Sequence, residues 1–102
     1  MSEPLDLGGK RALVTGAGSG IGRAIAVELG RHGAFVAVNY RKNREGALET
    51  LAMIEELGGT GMVVGADVTV ASEVGAMVDE ACRPAGRLDI LVNNAGVEVR
   101  EP

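Results

Sequence analysis

The sequence predicts an α/β fold, in which short strands and helices alternate along the chain. Four short apolar runs are separated by segments in which apolar residues recur at helical spacing. Glycine accounts for 16 of 102 residues, against about 7% in average proteins. Phe35 and Tyr40 are the only aromatic residues. A glycine-rich core of small aliphatic residues suits helices wound tightly against a sheet better than it suits a β-sandwich.

The first strand is predicted at residues 11–16, where the apolar run "RALVTG" ends in a glycine turn. The segment "GIGRAIAVELGRHG" then predicts a helix that Gly33 ends. A second apolar run, "AFVAVNY" at residues 34–40, predicts the second strand. The apolar residues expected to form the buried face of the helix are Ile21, Ala24, Ile25 and Leu29.

Asn43 is a suitable N-cap for a second helix, which Gly58 and Gly59 end. Residues 61–67, "GMVVGAD", predict the third strand, and residues 88–92 predict the fourth. Between them lies a third helix that ends by Pro84. The predicted apolar faces are Ala47, Leu48, Leu51, Ala52 and Ile54 in the second helix, and Val74, Met77, Val78 and Ala81 in the third.

Strands that are apolar on both sides indicate a parallel sheet covered by helices on two faces. Right-handed crossovers then restrict the winding. We predict the strand order 3-2-1-4, which is the first half and a little more of a doubly wound, Rossmann-like fold. Residues 1–102 are therefore interpreted as one incomplete, truncated domain of this fold.

The charge and cysteine content narrow the possible functions. The net charge is −4 and no basic face is evident, which argues against nucleic acid as a partner. Cys82 is the only cysteine, so neither a disulfide framework nor a metal cluster is expected. The start of the sequence resembles no signal peptide, and no apolar run is long enough for a membrane. We therefore expect a cytoplasmic protein that does not associate with membranes.

The segment "TGAGSGIG" at residues 15–22 lies between the first strand and the first helix. A diphosphate can bind there, against the unpaired N–H groups and the positive end of the helix. The spacing does not fit Gly-x-Gly-x-x-Gly. It does fit Thr-Gly-x-x-x-Gly-x-Gly, with glycines at Gly16, Gly20 and Gly22.

With "NNAG" at residues 93–96 and Asp67 closing the third strand, this pattern resembles the short-chain dehydrogenase/reductase family. The three motifs stand in the family's order and the resemblance covers essentially the whole chain. The segment "NYRKNREGAL" and the tail "NNAGVEVREP" are similar to the glucose-dehydrogenase and ketoacyl-reductase-like branch.

The resemblance implies a set of cofactor-binding residues. Those expected to line the pyrophosphate and its helix are Gly16, Ser19, Gly20, Ile21 and Gly22. Asp67 and Val68 would hold the adenine, with the carboxylate accepting from its amino group. The turn that supports the ribose and the central sheet would be Asn93, Asn94, Ala95 and Gly96. Without the other motifs, Asn93 and Asn94 would suit a plain turn after a strand.

The end of the second strand usually decides between the two nicotinamide cofactors. An acidic residue there would accept from the ribose 2′-hydroxyl and repel a 2′-phosphate. Tyr40 occupies this position and Arg41 follows, so the cation could pair with a 2′-phosphate. We predict NADP(H) as the preferred cofactor, with NAD(H) possible. The alternative is that Arg41 points into solvent.

In the family, hydride passes between the nicotinamide and a carbonyl or alcohol carbon, and a Tyr, Lys, Ser and Asn assist it. These residues belong to the second half of family members, so no catalytic or metal-binding residue is assigned here. Tyr40 is not the catalytic tyrosine, because Arg44 stands where Tyr-x-x-x-Lys needs lysine. We expect the chain alone to be inactive.

The fourth strand would have an open apolar edge, so we predict a marginally stable chain that self-associates. A competing interpretation is a non-catalytic dinucleotide-binding module or an inactive remnant. Another Rossmann domain, such as that of a methyltransferase, is disfavoured because it gives no reason for the glycine spacing and residues 93–96 to occur together.

Overall fold

A computed structural model describes residues 5–94 of the chain. These residues form a four-stranded sheet with the order β3-β2-β1-β4, which confirms the predicted order. Every strand pair is parallel. The elements are β1 (Arg11–Val14), α1 (Gly20–Arg31), β2 (Phe35–Tyr40), α2 (Arg44–Glu56), β3 (Thr60–Gly65), α3 (Ala71–Cys82) and β4 (Ile90–Val92). None of the described helices is both long and apolar enough to cross a bilayer.

Three strands are shorter than predicted. Strand β1 ends at Val14 rather than at residue 16, because Gly16 has a φ of 60° and turns the chain away from the sheet. Strand β3 ends at Gly65, which pairs with the last residue of β2, Tyr40. Before β4, the Asp89 carboxylate accepts from the Arg11 N–H at 2.8 Å, so a side chain takes the place of a strand carbonyl.

The buried face of α1 differs from the predicted one. Ile21 is 73% exposed and Ala24 is also exposed, although both were expected in the core. Ile25 and Leu29 are partly buried and pack against the core as predicted, and the fully buried residues of α1 are Gly22, Ala26 and Gly30. A Cβ atom on Gly30 would stand 2.6 Å from Ile54 Cγ2. Helices α1 and α2 are therefore too close together at this point for a larger residue than glycine.

Helix α2 is also only partly as predicted. Ala47 and Ile54 are buried, and Asn43 is the N-cap as expected. Leu48 and Ala52 face solvent, and the polar residue Thr50 is fully buried in their place.

Two apolar clusters lie on opposite faces of the sheet. On one face, side chains from β1 and β2 such as Val14 and Val38 pack with residues from α1 and α2. On the other face, Leu13 and Ala37 pack with Met77 and the rest of the predicted stripe of α3. Leu91 pairs with the fully buried Leu13 in register but is 60% exposed. Within residues 5–94, β4 is therefore an edge strand whose Leu91 side chain is left largely uncovered.

Arg11 connects the start of β1 to the end of α3. Arg11 is only 8% exposed. Its Nε donates to the Ala81 carbonyl at 3.0 Å and its Nη2 donates to the Arg83 carbonyl. The guanidinium also lies 3.9 Å from the centre of the Phe35 ring. Carbonyls at a helix C-terminus have no partner within the helix, so Arg11 satisfies the Ala81 carbonyl, which would otherwise be buried without a donor.

Replacing Arg11 with Leu is expected to lower the free energy of unfolding by about 2 kcal/mol, since hydrogen bonds from a charged donor would be lost inside the protein. Urea unfolding of the two chains measures the difference. Arg44→Leu is the matched control, because Arg44 is exposed at the start of α2. Equal stability losses in both variants would show that the buried contacts of Arg11 contribute nothing.

Candidate functional site

The predicted glycine turn joins β1 to α1 at the carboxyl edge of the sheet. Gly16 and Gly20 have backbone φ values of 60° and 57°, which residues other than glycine rarely adopt. Gly22 is needed for space. A Cβ atom there would lie 2.2 Å from the Gly16 carbonyl oxygen and 2.7 Å from Asn94 Nδ2. The first turn of α1 therefore packs directly on the loop.

The N-terminus of α1 is left without a side-chain cap. Ser19 is the N-cap residue, and its hydroxyl makes no capping hydrogen bond. The Arg23 N–H donates to the Ser19 carbonyl at 3.2 Å, and the N–H groups before it lie in the first turn, where a helix provides no acceptors. Helix α2 contrasts with this, because Asn43 Oδ1 accepts from the Gly46 N–H at 3.0 Å.

These features fit an anion. Free N–H groups and the positive end of the helix dipole attract negative charge, and the glycines let a phosphate approach the backbone. Residues 15–18 form a turn, and residues 16, 18, 20 and 22 have no side chain that could fill the loop because all four are glycine. The residues present are therefore compatible with a bound diphosphate.

Asn39 holds the loop in place from the strand beside it. This residue is 1% exposed and lies near the end of β2. Its Oδ1 accepts from the Gly16 N–H at 3.1 Å, and its Nδ2 donates to the Val64 carbonyl at 3.1 Å. The Asn39 carbonyl also accepts from the Ala17 N–H at 2.8 Å. We did not predict this role, although an amide within the apolar run "AFVAVNY" was a visible signal.

The loop is held from the other side by the segment after β4. Asn94 Nδ2 donates to the Gly16 carbonyl at 3.1 Å. The Thr15 hydroxyl lies 3.2 Å from Asn93 Oδ1. Asn93 and Asn94 thus contact the glycine turn, whereas the predicted site residues Ala95 and Gly96 lie outside the described residues.

A surface cavity of about 260 Å³ opens beside the loop. Four of the predicted site residues line it, together with three residues that we did not assign to the site. The predicted ones are Gly16, Ser19, Tyr40 and Arg41, and the others are Gly18, Lys42 and Asn43. The cavity therefore joins the glycine loop to the end of β2, and two cations stand at its wall.

Asp67 faces this cation-rich wall. Its Oδ2 lies 3.2 Å from Arg41 Nη2, so two residues predicted to contact different parts of a cofactor form an ion pair. Donation from the Thr69 hydroxyl and from the Thr69 N–H holds the pKa of Asp67 below its ordinary value, and the charges of Arg41 and Lys42 act in the same direction. Asp67 therefore stays ionised at neutral pH.

The other predicted residues lie around this arrangement. Val68 is partly buried and packs against the cluster beneath α3. Ile21 projects from the first turn of α1 and is largely exposed. Among the described residues, no three His, Cys, Asp or Glu side chains are grouped so that they could hold a metal ion.

Comparison with known proteins finds one family. The family model described as short chain dehydrogenase matches residues 10–102. A hydroxynaphthalene reductase-like protein Arp2 of Metarhizium guizhouense is 46% identical over 99 residues. The match covers 97% of this chain and 37% of that protein. The chain thus spans well under half the length of the curated relatives it matches.

Solved structures give the same result at the level of the fold. A short chain dehydrogenase from Burkholderia cenocepacia J2315 in complex with NADP superposes with a TM-score of 0.83 and 46% identity, over 93% of this chain and 38% of that one. A 7α-hydroxysteroid dehydrogenase complexed with NADH and 7-oxo glycochenodeoxycholic acid superposes with a TM-score of 0.83 and 39% identity, over 91% of this chain and 37% of that one. Both nicotinamide cofactors thus occur among similar structures.

The packing of Gly22 can be tested by adding one methyl group. We expect Gly22→Ala to lower the free energy of unfolding by up to about 3 kcal/mol, because the new Cβ overlaps the Gly16 carbonyl. Gly75→Ala is the control, since a Cβ at that position in α3 meets no atom within 4 Å. It should stabilise the chain by up to about 1 kcal/mol through helix propensity. Chemical unfolding of both variants measures the contrast, and an unchanged Gly22→Ala chain would contradict the described packing.

Proposed function

The chain belongs to the short-chain dehydrogenase family, and from this premise we propose that its described residues bind the adenosine diphosphate part of a nicotinamide dinucleotide. The observation that carries the proposal is the uncapped N-terminus of α1 behind a glycine turn. This 12-residue helix starts without a side-chain cap, so an anion bound at its N-terminus would accept from N–H groups that no side chain of the cap satisfies and would stabilise the helix.

Each part of the nucleotide has a place in this proposal. The diphosphate binds the N–H groups at the start of α1, in the loop from Gly16 to Gly22. The adenine lies against Asp67 and Val68. Asn93 and Asn94 support the adjoining ribose through their contacts with the loop, and the same role is proposed for Ala95 and Gly96 by their place in the motif.

The chemistry supplied at such a site is hydride transfer between the nicotinamide and a carbonyl or alcohol carbon of a substrate. The residues of this chain bind and orient the nucleotide, and none of them is assigned a proton-transfer role. We therefore propose that the chain provides the cofactor-binding part of an oxidoreductase. That the chain is one incomplete domain of such an enzyme remains part of this proposal.

We further propose a preference for NADP(H) over NAD(H). Arg41 and Lys42 line the cavity at the end of β2, where Tyr40 stands in place of an acidic residue. A 2′-phosphate there would accept charge-assisted hydrogen bonds, whereas no carboxylate of β2 is available for a 2′-hydroxyl. The Asp67 carboxylate approaches from β3, where it already pairs with Arg41.

Nucleotide titration of the purified chain tests both proposals. We expect NADPH to bind more tightly than NADH. Arg41→Gln should reduce the ratio of the NADH dissociation constant to the NADPH dissociation constant by about tenfold, which is a loss of roughly 1.4 kcal/mol in binding preference. Arg44→Gln serves as the control, because Arg44 is exposed but does not line the cavity. Binding of neither nucleotide would refute the cofactor site, and a higher or equal affinity for NADH would refute only the preference.

We also propose that the chain associates with copies of itself through β4. This strand is at the edge of the sheet, and Leu91 leaves an apolar side chain 60% exposed there. The N–H and C=O groups of an edge strand are available to another strand, and an apolar edge favours such pairing.

Sedimentation velocity at increasing protein concentration tests this association. We expect the wild-type chain to shift to larger species and Leu91→Lys to remain monomeric at concentrations about tenfold higher, because a charged side chain opposes edge pairing. Leu57→Lys is the control, since Leu57 is 51% exposed but lies between α2 and β3, the strand at the opposite edge of the sheet from β4. A wild-type chain that stays monomeric throughout would contradict the proposal.

A further inference from the structure

We propose that Arg23 and Thr50 act as a positioning pair that orients the glycine loop towards a bound diphosphate. This inference rests on the proposed function and assigns a role to two residues outside the glycine motif. Arg23 lies in the first turns of α1 and Thr50 lies in the middle of α2. Both side chains act on the backbone of the loop that precedes α1.

The contacts form a chain of hydrogen bonds from one helix to the other. Arg23 Nε donates to the Thr50 hydroxyl at 3.0 Å. The hydroxyl lies 2.8 Å from the Ala17 carbonyl and 3.1 Å from the Gly46 carbonyl, and its single proton favours the shorter contact. Arg23 Nη2 donates to the Gly18 carbonyl at 2.8 Å and to the Gly46 carbonyl at 3.0 Å.

These contacts are largely shielded from water. Thr50 has no exposed surface, and the Arg23 side chain is 25% exposed. Glu49 Oε2 lies 3.9 Å from the Arg23 guanidinium but is on the exposed side, so the main partners of Arg23 are carbonyls and a hydroxyl. Because hydrogen bonds strengthen one another in such surroundings, the chain of donors holds the loop more firmly than separate surface contacts would.

The loop also packs on the start of α2 without a gap. A Cβ on Gly18 would lie 3.2 Å from the Ala47 N atom and 3.3 Å from the Asn43 carbonyl oxygen. A Cβ on Gly46 would lie 2.4 Å from the Gly18 carbonyl oxygen. The two carbonyls of the loop that Arg23 and Thr50 bind therefore point towards α2.

The direction of these carbonyls affects anion binding. A peptide carbonyl that faced the diphosphate would repel it, whereas the N–H groups at the start of α1 attract it. By holding the Ala17 and Gly18 carbonyls against α2, Arg23 and Thr50 keep the loop in the conformation that an anion needs before the anion arrives. Binding then requires less ordering of the loop, which raises affinity.

Two ligands separate this role from general stabilisation. NADPH contains the diphosphate, whereas adenosine 2′-monophosphate keeps the adenine, ribose and 2′-phosphate but has no 5′-diphosphate. Arg23→Gln and Thr50→Val should each raise the dissociation constant of NADPH by about tenfold while changing that of adenosine 2′-monophosphate less than about twofold. The conservative variants Arg23→Lys and Thr50→Ser should recover most of the NADPH affinity.

The control variant is Arg31→Gln, on the same helix as Arg23. Arg31 is exposed and pairs with Glu28, so its loss should change neither dissociation constant. Nitrogen-15 relaxation of the free chain gives a readout that needs no ligand. In Arg23→Gln, the amides of Gly18, Gly20 and Ile21 should show lower order parameters than in the wild type, whereas those of α3 should not.

The outcomes distinguish this inference from the proposal beneath it. A wild-type chain that binds neither nucleotide refutes the proposed function and this inference together. If the wild type binds both ligands but the variants weaken them equally, or weaken neither, the positioning role alone is refuted. Should Arg23→Gln or Thr50→Val not fold, the other decides the matter by the same comparison of two ligands, because each residue binds its own loop carbonyl. If neither folds, Arg23→Lys replaces them, and a rise in the dissociation constant that is equal for NADPH and adenosine 2′-monophosphate, or no rise in either, refutes the role.

Discussion

The close contact between the first turn of α1 and the turn after β1 is the constraint on which the rest of this arrangement depends. At Gly22 the helix lies so near the Gly16 carbonyl that no side chain fits between them. This contact fixes the helix over the strand and directs its unpaired N–H groups at the carboxyl edge of the sheet. Asn39 then accepts from the Gly16 N–H, and Asn94 donates to the Gly16 carbonyl. The same geometry therefore serves both stability and anion binding.

Charged residues are arranged differently at the two ends of the parallel strands. At the candidate site, Arg41 and Lys42 stand beside the start of a helix, and Asp67 forms an ion pair with Arg41. At the opposite end of the strands, Arg11 is buried and its guanidinium binds helix carbonyls rather than a carboxylate. Arg41 and Lys42 thus place positive charge where a phosphate is proposed to bind, in a chain whose net charge is −4.

The sequence predicted the strand order and the identity of the elements because alternation, apolar runs and glycine turns report directly on local structure. It predicted helix faces less well. Gly30 and Thr50 are buried where larger apolar residues were expected, because α1 and α2 approach too closely for bulk, and because a buried hydroxyl is needed to bind the Ala17 carbonyl. Hydrogen bonds between residues far apart in the chain, such as that from Arg23 to Thr50, leave no periodic signal in the sequence.

The ion pair between Arg41 and Asp67 has a consequence for how a nucleotide would enter. A 2′-phosphate that pairs with Arg41 would compete with the Asp67 carboxylate, which lies 3.2 Å from Arg41 Nη2, so entry would exchange one ionic contact for another instead of adding one. Dissolved salt weakens both contacts. Affinity would then depend on ionic strength less steeply than it does for a phosphate captured by an unpaired arginine.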